Sequence, residues 1–358
     1  MKPLSGVRII EFDGLGPVTF AGMVLADLGA DVVRLSRAKA GAFGEVGNDV
    51  LHRARNAVVV DLKSVSDRDQ VLDLIAGADA VIEGFRPGVL ERLGLGPEDC
   101  AARNPKLVFG RVTGWGQTGP LAQTVGHDIN YIGLTGALHA MGEAGSPPVP
   151  PLNLVGDYGG GAMLLITGVL AAIIEARTTG KGRVVDAAMT DGTSLLSALF
   201  FSMMASGHWS GERGSNLLDG AAPFYRCYAC ADGRFVAVGA LEPRFYAALL
   251  AGLGLEPAEA PQFPVSSWPA IEAKFGALFA TRPRDEWAAH FAGTEACVTP
   301  VLTFAEAADH PHNKARQTLA GSPPQPSPAP RFDGQVAQIE PAGAISLTDA
   351  LARWVQAT

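Results

Sequence analysis

The chain has 358 residues, of which 47% are hydrophobic and 18% are charged, and its formal net charge at neutral pH is −8. At roughly 150 residues per domain, this length predicts about two globular domains with a large core. The acidic balance lacks the basic footprint of a nucleic-acid-binding protein and disfavours electrostatic attachment to anionic membranes. We therefore expect neither nucleic acid nor a membrane as a partner.

Cysteine usage and the chain ends indicate a reducing compartment. Four cysteines in a chain of this length predict no disulfide framework. The first residues show no charged-then-apolar signal pattern, and the last four, VQAT, are not a peroxisomal address. The longest apolar stretch, residues 163–174, is too short to cross a bilayer and predicts a buried helix. These features predict a cytoplasmic protein.

The first 120 residues alternate between strand and helix patterns. Apolar, β-branched runs predict strands at 7–12, 31–35, 57–62, 79–85 and 106–113. Helical periodicity predicts helices at 18–28, 67–76 and 89–93 between them. This alternation predicts an α/β fold, with a doubly wound parallel sheet in a Rossmann-like large domain.

The rest of the chain is more helical and predicts a second, smaller domain. We expect helices at 128–141, 158–177 and 190–206, a strand at 184–187, a hairpin of 225–230 with 234–240, and helices at 243–253 and 283–292. This hairpin with its helices indicates an α+β fold. The predicted organisation is a large domain over 1–190, a linker helix and loop over 191–225, a small domain over 226–305, a return linker over 306–329, and a segment over 330–358 that returns to the large domain.

The turn after the first strand begins like a dinucleotide-binding fingerprint but does not complete it. Gly14 and Gly16 have the right spacing, whereas Thr19 stands where the third glycine would fall. The second strand ends in Arg34-Leu35-Ser36-Arg37 rather than in the acidic residue that binds a ribose hydroxyl. The sequence therefore disfavours NAD.

Basic residues follow several of the predicted strands. Arg37, Lys63 and Arg86 come at or just after strand ends, and Arg92 lies one helical turn beyond Arg86. Because the carboxyl ends of parallel strands line the ligand crevice, these cations would converge on a phosphorylated ligand such as CoA. Ordinary surface charge is the better explanation for any single one of them, so only the repeated placement at strand ends favours the site.

Five strings carry a family resemblance. They are RVTGWGQTGPLAQTVGHDINY at 111–131, PPLNLVGDYGGGAM at 150–163, GKGRVVDAAMTDG at 180–192, CADGRFVAVGALEPRFY at 230–246 and ACVTPVLTFAEAADHPH at 296–312. Together they resemble the family III CoA-transferase superfamily and, within it, the α-methylacyl-CoA racemases. The resemblance extends over nearly the whole chain.

The resemblance implies an interlocked homodimer that acts on acyl-CoA, with no metal and no cofactor apart from the CoA moiety of the substrate. It implies His127, Asp157 and Glu242 as catalytic residues. The CoA-binding residues that it implies are Arg37, Val60, Asp61, Leu62, Lys63, Gly84, Phe85, Arg86, Arg92, Gly126, Asp128, Ile129, Asn130 and Tyr131. One departure is Ser36, where many relatives carry an acidic residue, which puts a contact to the adenosine in doubt.

Racemisation at the α-carbon of a thioester needs one group to remove a proton and another to return one on the opposite face. His127 and Asp157 suit this as a mixed pair, because imidazole with a carboxylic acid holds as many protons as imidazolium with a carboxylate. Asp157 precedes Tyr158 and three glycines, so we expect it to cap a helix whose N-terminus stabilises the enolate. Glu242 precedes Pro243 and either simply starts a helix or, as the family suggests, reaches His127 across the dimer.

Two other functions compete with the racemase. A family III CoA-transferase would use Asp157 as a nucleophile and would not need His127, and a non-catalytic CoA- or NAD-binding module would need neither. The pair Cys227 and Cys230 has no partners at zinc spacing and predicts core packing. His310 and His312 predict a solvated loop rather than a metal site.

Overall fold

The computed structural model describes residues 2–38 and 48–355. The chain divides into two compact units, which are described separately here. The first unit comprises Met1–Thr135, Pro151–Ser197 and Lys314–Thr358, and the second comprises Gly136–Pro150 and Ala198–Asn313.

The elements follow one another along the chain in three stretches. The first contains β1 (Arg8–Phe12), α1 (Pro17–Asp27), β2 (Asp31–Ser36), α2 (Asn48–Leu51), β3 (Asn56–Val59), α3 (Val65–Ala76), β4 (Ala80–Glu83), α4 (Val89–Arg92), α5 (Pro97–Arg103) and β5 (Val108–Thr113). The second contains α6 (Asp128–Gly133), a 3-10 turn (Leu138–Ala140), a π-helical segment (Leu154–Ala162), α7 (Met163–Thr179), β6 (Val184–Ala188), α8 (Met189–Leu196) and α9 (Ala198–Ala205). The third contains β7 (Tyr225–Ala229), β8 (Phe235–Gly239), α10 (Pro243–Leu253), 3-10 turns at Pro257–Glu259 and Val265–Ser267, α11 (Trp268–Phe279), α12 (Arg284–Phe291), β9 (Val298–Pro300), α13 (Phe304–Asp309), α14 (Pro311–Arg316), β10 (Leu319–Ala320), β11 (Gln325–Pro326), β12 (Gly343–Ala344) and α15 (Leu347–Val355).

The first unit is built on a seven-stranded sheet with the order β12-β3-β2-β1-β4-β5-β6, in which every pair of neighbours is parallel. The six strands other than β12 have the order of a Rossmann fold, so the predicted parallel α/β architecture is confirmed. The chain reverses its direction of winding between β1 and β4, which leaves a crevice at the carboxyl ends of these strands. The sequence did not predict β12, the two-residue strand that extends the sheet beyond β3.

Both faces of this sheet are covered, as a parallel sheet requires. Successive residues of β1 point to opposite sides, so Ile9 and Ile10 belong to different cores. Ile9 packs on the side of α1 and α7, and Ile10 packs on the side of α3 and α15, where Trp354 is buried. The C-terminal helix therefore completes one of the two apolar layers.

Glycines explain where the helices differ from the prediction. The helix expected at 128–141 ends at Gly133, and Gly136 has a φ of 84°, a left-handed conformation that breaks the helix. The helix expected at 158–177 begins four residues earlier, as the π-helical segment, and runs on into α7. The continuous run Leu154–Thr179 is long and apolar enough to cross a membrane, but half of its most apolar window is buried, as in a core helix.

The second unit contains the predicted hairpin. β7 and β8 pair antiparallel across a turn at Gly233, whose φ is 73°, and β9 pairs with the other edge of β8. Helices α10, α11 and α12 pack aromatic side chains into one core, in which Phe279 stacks on Tyr228 and meets Trp287 edge-on. Cys230 is buried in this core, in agreement with its predicted packing role, but Cys227 is exposed on β7, so the core-packing prediction was wrong for that residue.

Candidate active site

A cleft of about 370 Å³ opens in the first unit at the carboxyl ends of β1, β4 and β5. We call it the carboxyl-edge cleft. It is lined by Leu15, Gly16, Pro17, Gly84, Phe85, Arg86, Pro87, Val112, Thr113, Gly114, Trp115, Ala122, Thr124, Val125, Gly126, His127, Tyr131, Asp157 and Met189. Because it includes the turns that follow both β1 and β4, it occupies the crevice where doubly wound sheets bind ligands.

His127 is held at this cleft by the start of α6, of which it is the N-cap. Its backbone N–H donates to the side-chain oxygen of Asn130 at 3.0 Å, and its carbonyl accepts from the backbone N–H groups of Asn130 and Tyr131. These bonds fix the main chain of His127 and leave its side chain exposed at the cleft.

Asp157 lies inside the π-helical segment rather than at a helix N-cap, so that expectation was wrong. Asn153 is the N-cap, and its side-chain N–H donates to the Asp157 carboxylate at 3.2 Å. The backbone N–H of Asp157 is not free for an enolate, because it donates to the Asp128 carboxylate at 2.7 Å. A Cβ on Gly16 would lie only 3.1 Å from the Asp157 carboxylate, so a glycine in the turn after β1 gives that carboxylate its room.

The surroundings of Asp157 favour its protonated form. Burial raises the pKa of the Asp157 carboxyl above its usual range, and the neighbouring Asp128 carboxylate raises it further. The hydrogen bond from Asn153 and the charge of nearby His127 act in the opposite direction. His127 and Asp157 line the same cleft, and His127 acts electrostatically on the Asp157 carboxyl.

Aromatic packing shapes the cleft beside His127, and sequence reasoning missed one of its members, Trp115. The Tyr131 ring packs edge-on against the Trp115 ring, with 4.8 Å between the ring centroids, and the Tyr131 hydroxyl donates to the carbonyl of Gly126. A Cβ on Gly114 would lie 2.0 Å from the Tyr131 ring. The Gly114-Trp115-Gly116 string after β5 is the signal that would have identified this packing.

Among the residues predicted to bind CoA, the structure brings those after β4 into the cleft. Gly84, Phe85 and Arg86 line it. Arg37 follows β2, and its guanidinium lies over the Phe85 ring, 5.9 Å from the centroid. Within residues 2–38 and 48–355, neither Arg37 nor Arg86 forms an ion pair, so both charges remain available to a ligand.

Gly126 and Tyr131, which were also predicted to bind CoA, line the cleft as well, whereas the other predicted CoA residues do not. Lys63 is exposed in the turn after β3, Arg92 is exposed at the end of α4, and Asp128 is buried beneath the site. Of the remaining ones, Val60 is buried, Leu62 is half-buried, and Asp61, Ile129 and Asn130 are exposed.

Two positions explain why the dinucleotide fingerprint fails. The Thr19 hydroxyl is buried and donates to the carbonyl of Gly14 at 2.6 Å, so it closes the turn that a fingerprint glycine would leave open. Ser36 is buried in β2, with its hydroxyl directed at the carbonyl of Val58. The Ser36 side chain therefore belongs to the sheet, and its departure from the family pattern lies away from the cleft surface.

Glu242 belongs to the second unit. It is the N-cap of α10, it is exposed, and its carboxylate makes no capping hydrogen bond. It therefore does start a helix, as one of the two interpretations predicted.

A second and larger cleft, of about 750 Å³, lies at the opposite end of the same sheet. We call it the amino-edge cleft. Its lining residues are Gly6, Arg8, Asp31, Ala76, Gly77, Ala78, Asp79, Asn104, Lys106, Ile173, Ala176, Arg177, Arg353 and Trp354. Two of its four cations have acidic partners: Arg177 pairs with Asp79 at 3.3 Å, and Arg353 pairs with Asp31.

The part of the chain that the structure describes contains no grouping of three or more His, Cys, Asp or Glu side chains that could hold a metal ion.

The fold and the carboxyl-edge cleft define a Rossmann-like α/β protein with a histidine and an aspartate at its switch point. Residues 4–341 match the sequence profile of CoA-transferase family III, and the chain belongs to that family. The family resemblance identified from the sequence is thus confirmed.

Individual relatives support this assignment. An α-methylacyl-CoA racemase from Mus musculus is 46% identical over 331 residues, spanning 91% of this chain and 86% of the relative. The α-methylacyl-CoA racemase from Homo sapiens is 44% identical over the same shares. The crystal structure of a CaiB/BaiF family protein from Brucella suis superposes with a TM-score of 0.81 at 25% identity and covers 99% of both chains.

Proposed function

We propose that this protein is an isomerase that inverts the α-carbon of 2-methylacyl-CoA thioesters by 1,1-proton transfer, with His127 and Asp157 as the acid/base pair. The observation that carries the proposal is the placement of both side chains in one cleft at the switch point of the sheet. The racemase relatives, at 44% and 46% identity over most of the chain, favour this reaction over acyl transfer.

In the proposed reaction one member of the pair takes the α-proton and the thioester becomes an enolate. The other member then delivers a proton to the opposite face, so the pair holds the same number of protons before and after turnover. Each direction leaves the pair in the protonation state that the reverse direction needs. The raised pKa of Asp157 suits this exchange, because a carboxyl that protonates more readily is a better match for an imidazole.

The nucleotide half of CoA would lie along the cations at the carboxyl ends of the strands. Arg86 lines the cleft, and Arg37 lies against Phe85 beside it. Both guanidiniums are exposed. Arginine matches phosphate oxygens with paired N–H donors, so these side chains suit the pyrophosphate and the 3′-phosphate.

We also propose the interlocked homodimer, in which the exposed Glu242 carboxylate of one protomer would orient the His127 ring of the other. The absence of a capping bond leaves this carboxylate available for such a contact. Helix α9 supports a partner too, since Leu199, Phe201 and Met204 are each at least half exposed. We expect a cytoplasmic protein that needs no cofactor beyond the CoA of its substrate, and the mass in solution by light scattering tests the dimer.

The test of the reaction is to incubate the protein with a single enantiomer of a 2-methylacyl-CoA in heavy water. We expect deuterium to enter at the α-carbon while optical purity is lost, as followed by NMR and chiral chromatography. Acyl exchange with added free acids, without α-deuterium, would establish the transferase that uses Asp157 as a nucleophile. If the protein catalyses neither acyl exchange nor α-deuterium labelling, it is a CoA-binding module without activity.

A further inference from the structure

Arg111 is a buried cation that joins two carboxylates beneath the predicted CoA-binding residues. It lies on β5 directly beside Glu83 of β4. Its Nε donates to Glu83 Oε1 at 2.7 Å, and its terminal nitrogens donate to the two oxygens of Glu91 at 2.7 and 3.3 Å. The side chains of Arg111 and Glu83 are 6% and 0% exposed, so solvent does not compete for this pair.

Each of the two carboxylates fixes a segment that carries a predicted phosphate-binding arginine. The second oxygen of Glu83 accepts the backbone N–H of Phe85 at 2.6 Å, which fixes the turn that presents Arg86. Glu91 lies in α4 next to Arg92, so its bonds to Arg111 anchor that helix to β5. The hydrogen bonds from Arg111 also lower the pKa of Glu91, which keeps this carboxylate charged.

A third predicted phosphate-binding cation, Arg37, is linked to Glu83 through Phe85. The Phe85 ring packs edge-on against Phe12 of β1, and the guanidinium of Arg37 lies over the Phe85 ring. The bond from Phe85 N–H to Glu83 thus holds the main chain of the residue whose ring the Arg37 guanidinium contacts. Long arginine side chains lose rotamer entropy when they bind, so fixing their supports lowers the cost of binding.

We propose that Arg111 is a positioning residue for the nucleotide half of CoA, acting through Glu83 and Glu91 on Arg86, Arg92 and Arg37. It rests on the proposed function, because those three arginines have a ligand to hold only if the protein binds CoA. Arg111 itself does not touch the ligand. Its removal should therefore weaken binding of the nucleotide without changing the chemistry at the α-carbon.

The test compares Arg111→Lys with Glu91→Gln and with Arg284→Lys as a matched control. Lysine keeps the charge of Arg111 but cannot form its fork of bonds to two carboxylates. Glu91→Gln changes a side chain that is 42% exposed. It breaks the same contact from the other side, so it still tests the proposal if Arg111→Lys unfolds. Arg284 has an equally buried guanidinium, bonded to Glu306, in the second unit, so its variant reports general loss of stability.

Two measurements decide the outcome: the Kd of CoA and of pantetheine by calorimetry, and the racemisation kinetics with 2-methylacyl-CoA. We expect Arg111→Lys to raise the Kd of CoA and the KM about tenfold, and Glu91→Gln about threefold, with kcat within about twofold of wild type. Pantetheine, which lacks the nucleotide, should bind all variants equally, and Arg284→Lys should bind CoA as wild type does.

The positioning role would be overturned if Arg111→Lys bound CoA as tightly as wild type, or if it lost equal affinity for CoA and pantetheine. The proposed function would survive either result as long as the wild-type protein racemises the substrate. A wild-type protein that binds no CoA would overturn the proposed function, and this inference with it.

Discussion

The two ends of the parallel sheet differ in how their charges are used. At the amino-edge cleft, Arg177 and Arg353 are paired with Asp79 and Asp31, and Arg8 also bonds Asp79 through its backbone N–H. At the carboxyl-edge cleft, Arg86 has no acidic partner among the described residues, and the Asp157 carboxyl has a raised pKa. The larger cavity thus has two of its four cations neutralised by ion pairs, whereas Arg86 at the smaller one keeps an unpaired charge.

Under the proposed function, the smaller cleft, which keeps the unpaired arginine, is the one that binds substrate, so unpaired charge and not cavity volume distinguishes it. Pairing at the amino end holds α15 and α7 against the sheet, which is a structural task. Free cations at the carboxyl end serve no such task and raise the local potential for an anionic ligand. Four predictions test this contrast, and they are ordered here by the size of the expected effect.

The largest effect should come from His127→Ala at the carboxyl-edge cleft. Loss of one of two acid/base groups should lower kcat for α-deuterium exchange by about 10²–10⁴-fold, with the Kd of CoA little changed. The measurement is the initial rate of label uptake from heavy water. His312→Ala, at an exposed histidine on α14, is the control and should keep the wild-type rate. Full exchange activity in His127→Ala would remove His127 from the mechanism.

The next effect contrasts the two clefts directly. Arg86→Ala removes a free guanidinium from the carboxyl edge and should weaken CoA binding about 10- to 100-fold, the range expected for hydrogen bonds to a charged group. Arg177→Ala at the amino edge should leave the Kd of CoA unchanged. Calorimetry at two salt concentrations measures both, and screening by salt should reduce the difference between wild type and Arg86→Ala. Equal losses in the two variants would contradict the contrast.

A third effect is on pH dependence. The Asp128 carboxylate helps to raise the pKa of Asp157, so Asp128→Asn should lower that pKa and move the acidic limb of the kcat/KM profile to lower pH. Asparagine keeps an oxygen to accept the Asp157 backbone N–H. Asn153→Ala removes a bond that lowers the same pKa, so it should move the limb to higher pH. Shifts of the same sign in both variants would show that the limb does not report Asp157.

Sequence reasoning predicted the sheet because its strands are short, continuous apolar runs, a local signal that burial on both faces imposes. It also placed Arg37 and Arg86 at strand ends, where topology alone brings them together. It could not select His127 from seven histidines, since only the family resemblance singled it out. Contacts between distant segments were equally hidden: the bond from Asp157 N–H to Asp128 joins residues 29 apart, and no spacing rule foretells it.

The failed N-cap expectation for Asp157 has the same origin. A carboxylate before a glycine run has the pattern of a cap, and the sequence does not reveal that the helix already begins at Leu154 in a π-helical form. π-helical turns are found frequently at functional sites, because they displace a side chain from the ordinary helical position. The local pattern drew attention to Asp157, but it did not predict the π-helical conformation in which Asp157 lies.

The smallest effect should come from Asp31→Asn at the amino-edge cleft. The change removes the charge that Arg353 pairs with, but it keeps an oxygen that can accept the Trp354 indole N–H, now 2.8 Å from Asp31. Both partners of the ion pair are more than a third exposed, so we expect a loss of only about 0.5–1 kcal/mol, seen as a lower urea midpoint. The kcat/KM for racemisation should stay at the wild-type value, because this end of the sheet anchors α15. A fall in kcat/KM at unchanged stability would instead show that the amino-edge cleft takes part in the reaction. The contrast between a structural amino edge and a substrate-binding carboxyl edge would then be wrong.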